Sequence, residues 1–160
     1  MGKTTLLERL VPELSSRGNV VSLIKHSHKN VDIDRPGKDS YRLRESGCKE
    51  VLLMGNDRWA LMHELRGAAE PTLEELVARM QNSDLLLIEG FKQGGFPKLE
   101  VWRESVGKDA LWPHSAGIVA IASDQPLANV GLPVLNLIDV PTIATFILQH
   151  AQTFKSAETQ

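Results

Sequence analysis

A mainly parallel α/β sheet flanked by helices is the fold class the sequence predicts, on three observations. Short β-rich runs alternate with helical patterns through the interior of the chain. One run, Leu85-Leu86-Leu87-Ile88, is continuously apolar, as in a central parallel strand buried on both faces. Gly2-Lys3-Thr4-Thr5 opens a helical pattern with no turn between, the junction at which α/β folds commonly present backbone N–H groups to an anion.

The elements follow in order. Leu6, Leu7, Leu10, Val11 and Leu14 recur at helical spacing and Gly18 supplies the stop. Residues 20–25 read as a buried strand, followed by a polar loop to Gly37 and a short helix over 39–45 that Gly47 ends. Residues 50–54 and 58–63 read as two strands joined by the hairpin signal Gly55-Asn56-Asp57. Leu73, Leu76, Val77 and Met80 define the next helix, with Pro71 at its start, where a missing N–H costs little. Strands are expected over 85–88, 99–102, 117–122 and 134–137. A last helix after Pro141 is expected to bury Ile143, Phe146 and Ile147. Residues 1–155 read as a single domain and residues 156–160 as a polar tail.

Composition narrows the function classes. The 160 residues are 42% hydrophobic and 24% charged, globular values for one domain that buries roughly 70% of its unfolded surface. A net charge of −2 removes the global electrostatic reason for a nucleic-acid or anionic-membrane partner. One cysteine, Cys48, excludes an internal disulfide framework; Cys48 and Trp102 read as packing residues. The apolar runs are far too short to cross a bilayer, and nothing before Leu6 resembles a signal peptide. The expectation is a soluble cytoplasmic protein.

The chemistry starts at the N-terminus. Glycine, lysine and two hydroxyl residues at a helix start match the final part of a phosphate-binding P-loop. Gly2 lets backbone approach phosphate oxygens, and the first-turn N–H groups, Thr5 included, point at the anion. Lys3 reaches the β- and γ-phosphates and the Thr4 hydroxyl can ligate Mg²⁺. So short a motif also arises by chance; the amphipathic helix behind it favours the phosphate reading. The full motif needs an earlier glycine and a preceding strand, so the expected domain is P-loop NTPase-like with its first strand missing. Pro36-Gly37-Lys38-Asp39-Ser40 imitates the motif and fails, because Asp39 replaces the hydroxyl.

Other segments supply further parts. Residues 25–44 carry Lys25, Lys29, Arg35, Lys38, Arg42 and Arg44 against Asp32, Asp34 and Asp39, a +3 segment on a chain that is otherwise −5. That pattern suits a small anion or a solvated loop, and Asp32 and Asp34 are candidate Mg²⁺ ligands or water-orienting groups. His26 and His28 would share one face of an extended strand end, yet no third ligand makes them a zinc site. His63, His114 and His150 are isolated and carry no assignment. Residues 83–90 end an apolar run in Glu89-Gly90, the pattern by which a buried strand delivers one carboxylate to its C-terminal edge. Asp124 ends the strand over 117–122 in the same way. In many GTPases an aspartate so placed accepts from guanine N1 and N2, although the usual asparagine-lysine pair before it is absent here.

Taken together these blocks resemble the MobB family, molybdopterin-guanine dinucleotide biosynthesis protein B. The resemblance covers most of the chain. It rests on Gly2-Lys3-Thr4-Thr5-Leu6-Leu7, Ile24-Lys25-His26-Ser27-His28, residues 32–41, Arg58-Trp59-Ala60-Leu61, Glu89-Gly90-Phe91-Lys92 and residues 122–127. It implies a dimeric α/β protein that binds GTP with Mg²⁺ and hydrolyses it slowly at most. It also implies work with the molybdopterin guanylyltransferase and with molybdopterin. For the pterin contacts the sequence offers only candidates, the basic loop with Lys38 and Arg42 and the Phe91-Lys92 turn. By likeness to the related dethiobiotin synthetase-like class, Thr4, Asp34 and Glu89 would surround Mg²⁺ and Lys25 would face phosphate. Lys25, Asp34 and Glu89 are then the catalytic candidates, and Gly2, Lys3, Thr4, Thr5, Lys25 and Asp124 the nucleotide-binding ones.

Three readings of function stay open on the sequence. One is a GTP-binding accessory factor with slow hydrolysis, no arginine finger being evident, although Arg35 could serve. The second is a non-hydrolytic adaptor that delivers nucleotide or molybdopterin to the guanylyltransferase. The third is an ATP-dependent kinase or ligase built on the same site, for which no acceptor motif is found.

Overall fold

The computed structural model describes residues 2–27, 31, 33–91 and 94–154. Its described residues divide into two compact units, one within Met1–His26 and Gln81–Lys155, the other within Ser27–Met80.

The first unit is built on α1 (Lys3–Ser16), whose Leu6, Leu10 and Leu14 are buried as their spacing requires. Pro12 lies inside this helix. It faces solvent, where the carbonyl four residues back can bond to water instead. Gly18, at φ +86°, turns the chain off the helix end, with its N–H donating to Ser15 O and that of Asn19 to Leu14 O.

Five strands of this unit run parallel to their partners. β1 (Val21–Lys25) pairs with β4 (Leu85–Glu89) in register, Lys25 opposite Glu89. β6 (Ile118–Ser123) lies between β5 (Lys98–Trp102) and β7 (Val134–Asn136). α4 (Val140–His150) packs against α1, capped by the Asp139 carboxylate, which accepts from the Thr142 N–H. Leu6, Leu10, Leu14, Leu85, Ala122, Leu137, Val140, Ile143 and Ala144 form one core, and Val21, Leu87, Leu99, Val101, Leu135 and Ile147 pack on it.

Burial departs from expectation at the strands. β6, with a neighbour on each side, is the strand buried almost throughout. In β4 only Leu85 is buried and Leu86–Glu89 are half-buried, because its single partner among the described strands is β1. β1 was expected to be buried, yet Leu23 is exposed, as is Val20 just before it. Phe146 is half-buried rather than in the core and stacks on His150, ring centroids 3.8 Å apart.

The second unit holds α2 (Asp39–Glu45) and an antiparallel hairpin of β2 (Glu50–Met54) and β3 (Trp59–His63). The Gly55 N–H donates to Arg58 O across the expected turn. α3 (Leu73–Val77) starts two residues later than Pro71 suggests. Thr72 is its cap: the Thr72 hydroxyl accepts from Glu75 N–H, and the Glu75 carboxylate accepts from Thr72 N–H. The helix ends before Met80. Cys48 is exposed, not packed. Trp102 does pack, edge-on to Trp112 with centroids 5.6 Å apart. No helix among the described residues is long and apolar enough to cross a membrane.

Candidate functional site

The start of α1 is an uncapped helix terminus. Gly2 adopts φ +131° and no side chain caps the helix, and the first intrahelical bond runs from Leu6 N–H to Gly2 O. The N–H groups of Lys3, Thr4 and Thr5 therefore have no acceptor within the helix. No acid occupies the first turn to offset the positive dipole end. Gly2, Thr4 and Thr5 line a cavity of about 380 Å³ together with Arg103, Ser105 and Val106. Lys3 is exposed in the same turn. The φ of +131° at Gly2 is one that L side chains rarely adopt, and a methyl group there would also crowd Arg103 Nε at 3.3 Å.

The C-terminal edge of the β1–β4 pair carries the second group. Lys25 and Glu89 end neighbouring parallel strands, and Lys25 Nζ lies 3.3 Å from Glu89 Oε2, with the glutamate largely buried and the lysine half exposed. Gly90 makes the corner behind Glu89 possible. At φ +100° it brings its Cα so close to His26 that a Cβ would meet the His26 carbonyl oxygen at 2.4 Å. The His26 N–H donates to Glu89 O at 2.8 Å, and its ring lies 4.7 Å from that of Phe91.

Asp124 follows β6, where the Gln125 N–H donates to Ser123 Oγ and shapes the turn. Its Oδ2 lies 3.7 Å from Arg103 Nε. Composition offers no pointer to Arg103. Its one sequence signal is position, a cation just after a parallel strand, at the edge where open α/β sheets bind ligands.

Asp34 belongs to the second unit, apart from the unit that holds the other candidates. Its side chain is 98% buried, and Oδ1 accepts from Arg44 Nη2 at 3.1 Å, while Oδ2 is buried without a partner among the described residues. Arg44 also donates to Glu64 Oε1 at 3.1 Å and lies over the Tyr41 ring. The Asp34 hydrogen bond is the chief cause holding the Arg44 guanidinium above its ordinary range. Nearby, His63 Nδ1 and Glu50 Oε1 are 2.6 Å apart, and that hydrogen bond lowers the Glu50 carboxyl from its ordinary 4.5. His28, Lys29, Asp32, Lys92 and residues 156–160 lie outside the described residues.

The structure thus gathers Gly2, Thr4 and Thr5 on one cavity, Lys25 with Glu89 in one ion pair, and Asp124 with Arg103. A family model for molybdopterin guanine dinucleotide synthesis protein B, MobB, matches residues 1–124. The chain belongs to the MobB family. The molybdopterin-guanine dinucleotide biosynthesis adapter protein of Escherichia coli is 40% identical over 154 residues, covering 94% of this chain and 87% of that one. The adapter protein of the same description from Haemophilus influenzae is 39% identical over 159 residues, covering 98% and 86%. A crystal structure of molybdopterin-guanine biosynthesis protein B superposes with a TM-score of 0.72 at 26% identity, over 92% of both chains. Bacillus subtilis MobB gives 0.70 at 25% identity, over 94% of this chain and 91% of that one. The P-loop NTPase-like α/β fold class read from the sequence is the one these MobB structures support.

Proposed function

We propose that the chain is a cytoplasmic, homodimeric adapter in the formation of molybdopterin guanine dinucleotide, and that it binds GTP with Mg²⁺. The observation that carries the nucleotide reading is the uncapped start of α1, with Gly2, Thr4 and Thr5 on the wall of a cavity. Lys3 and the first-turn N–H groups would hold phosphate oxygens. Thr4 and Glu89 offer the hydroxyl and carboxylate oxygens that a hard cation prefers, with Asp34 the further carboxylate the family resemblance implies. Lys25 would face phosphate, and Asp124 would accept from guanine N1 and N2. Bound Mg²⁺ would neutralise phosphate charge; the protein's own part is to bind and orient the nucleotide.

The pairing of Lys25 with Glu89 favours an adapter over a GTPase. The Lys25 ammonium group occupies the Glu89 oxygen that would otherwise be open to an attacking water, and hydrolysis is slow at most. Homodimer formation is supported by the hairpin, one face of which exposes Leu52, Met54, Trp59 and Leu61, paired Leu52 to Leu61 and Met54 to Trp59. The partners would be the molybdopterin guanylyltransferase and molybdopterin. The test is reconstituted dinucleotide formation with that enzyme. An equal yield with GTP and with its β,γ-imido analogue, whose terminal phosphate cannot be hydrolysed, establishes the adapter; a yield lost with the analogue refutes it.

A further inference from the structure

We propose that Asn136 selects the base. Its side-chain amide donates to the 6-carbonyl oxygen of guanine and rejects the 6-amino group of adenine, a role that rests on the nucleotide reading above and on Asp124 as the acceptor for guanine N1 and N2.

The ends of β5, β6 and β7 stand in one line. Trp102 of β5 pairs with Ser123 of β6, and Ser123 with Asn136, the last residue of β7. Neighbouring strands lie about 4.8 Å apart, so β7 ends about 10 Å from β5. This is the carboxyl edge, where open α/β sheets take their ligands. Just beyond β5 and β6 come Arg103 and Asp124, with Nε and Oδ2 3.7 Å apart. The cavity at the start of α1 borders Arg103, which puts the phosphate end of a nucleotide at β5. The rest of such a ligand, laid along the edge, meets Asp124 and then Asn136.

The Asn136 side chain is exposed and held in one orientation. Its Oδ1 accepts from the Ile138 N–H at 3.1 Å. A backbone N–H only donates, so the atom it meets is the carboxamide oxygen and the free end is the donor, Nδ2. Nδ2 has no acceptor among the described residues. The turn beneath is anchored as well. The Asp139 N–H donates to Asn136 O at 3.0 Å, Arg9 Nη2 donates to Ile138 O at 3.1 Å, and the Asp139 carboxylate caps α4. Ile138, in the same turn, is 66% exposed, an apolar surface suited to the face of a flat heterocycle.

A donor fixed in this way tells the purines apart. At position 6 guanine carries an acceptor and adenine a donor. Nδ2 bonds to the first and sets donor against donor with the second, so one atom both attracts and repels. Turning the amide over to serve adenine would give up the bond to Ile138.

Asn136→Asp keeps the acceptor that the Ile138 N–H needs and replaces only the donor, so the turn persists while the polarity facing position 6 reverses. The full chain with Mg²⁺ is titrated calorimetrically with GTP, inosine triphosphate and 2,6-diaminopurine riboside triphosphate. Inosine lacks the 2-amino group; diaminopurine keeps it and carries an amino group at position 6. Wild type is expected to bind GTP at least about tenfold more tightly than the diaminopurine nucleotide, and Asn136→Asp to lower that ratio by at least as much. GTP and inosine triphosphate should weaken by the same factor, because both carry the 6-carbonyl. The added negative charge acts on all three nucleotides alike and cancels in the ratio. Asn136→Ser, whose hydroxyl also accepts from the Ile138 N–H, should bring the ratio toward one, and serves where Asn136→Asp folds poorly. GTP binding with no wild-type preference over the diaminopurine nucleotide, or a preference that the folded variant leaves unchanged, overturns this role alone. A folded wild-type chain that binds none of the three nucleotides overturns the nucleotide reading and this role with it.

Discussion

Gly90→Ala should be among the most damaging one-methyl changes in the chain, and its cost can be worked from the geometry. Gly90 has φ +100°, a region L-residues enter at a cost of about 1–2 kcal/mol. The added Cβ would lie 2.4 Å from the His26 carbonyl oxygen. That atom is backbone, fixed by the His26 N–H bond to Glu89 O, so relief requires the ends of β1 and β4 to separate. Overpacking of this kind costs about 1–3 kcal/mol. The sum is about 2–5 kcal/mol, or about 1–2 M in the urea midpoint for a typical slope. Two controls divide it. Gly18 has φ +86° with nothing within 4 Å, so Gly18→Ala carries the conformational cost alone, about 1 kcal/mol. Gly95 has neither a positive φ nor a neighbour, and Gly95→Ala should stay within about 0.5 kcal/mol of wild type. Because the clash lies beside the Lys25–Glu89 pair, Gly90→Ala should also weaken Mg²⁺-dependent nucleotide binding in the fraction that folds. A Gly90→Ala midpoint equal to that of Gly18→Ala would refute the close-approach argument.

Three further outcomes follow from packing and charge. Leu14 is fully buried in the α1–α4 core, and Leu14→Ala should cost about 3 kcal/mol, read as a fall of about 10 °C in thermal midpoint. Glu50 is held below its ordinary 4.5 by the hydrogen bond from His63. Its stabilisation is complete above pH 4.5 and lost as pH falls through the lowered value, so the gap in urea midpoint between wild type and Glu50→Gln should close on going from pH 7 to pH 3. Leu61→Arg, on the exposed hairpin face, should shift sedimentation from dimer to monomer with the thermal midpoint little changed; an unchanged sedimentation coefficient would exclude that face as the dimer contact.

Local patterns were the legible part. The 3.6-residue period marks Leu6, Leu10 and Leu14, which are buried. The apolar run ending in Glu89-Gly90 marks a strand that delivers its carboxylate to the parallel edge, with Lys25 opposite. Pro71 misplaces the start of α3, because a reciprocal pair of hydrogen bonds between Thr72 and Glu75 fixes that terminus instead. What escapes the sequence is set by partners distant in the chain. Apolar runs show which strands want burial, but only pairing decides how many sides are covered, so β6 is buried where β4 is half open. Arg44 reaches both Asp34 and Glu64, a union that no spacing announces. Arg103 meets Asp124 and Gly2 for the same reason.

Every role proposed for this chain depends on binding of the GTP phosphates at the start of α1. That binding is tested most directly by titrating the folded chain with fluorescent GTP and Mg²⁺, with unlabelled GTP and ATP as competitors and Lys3→Ala alongside. Saturable binding is expected, displaced by GTP and not by ATP, and weakened at least tenfold in Lys3→Ala. Absence of saturable binding by the folded wild-type chain, or equal binding by Lys3→Ala, would contradict it.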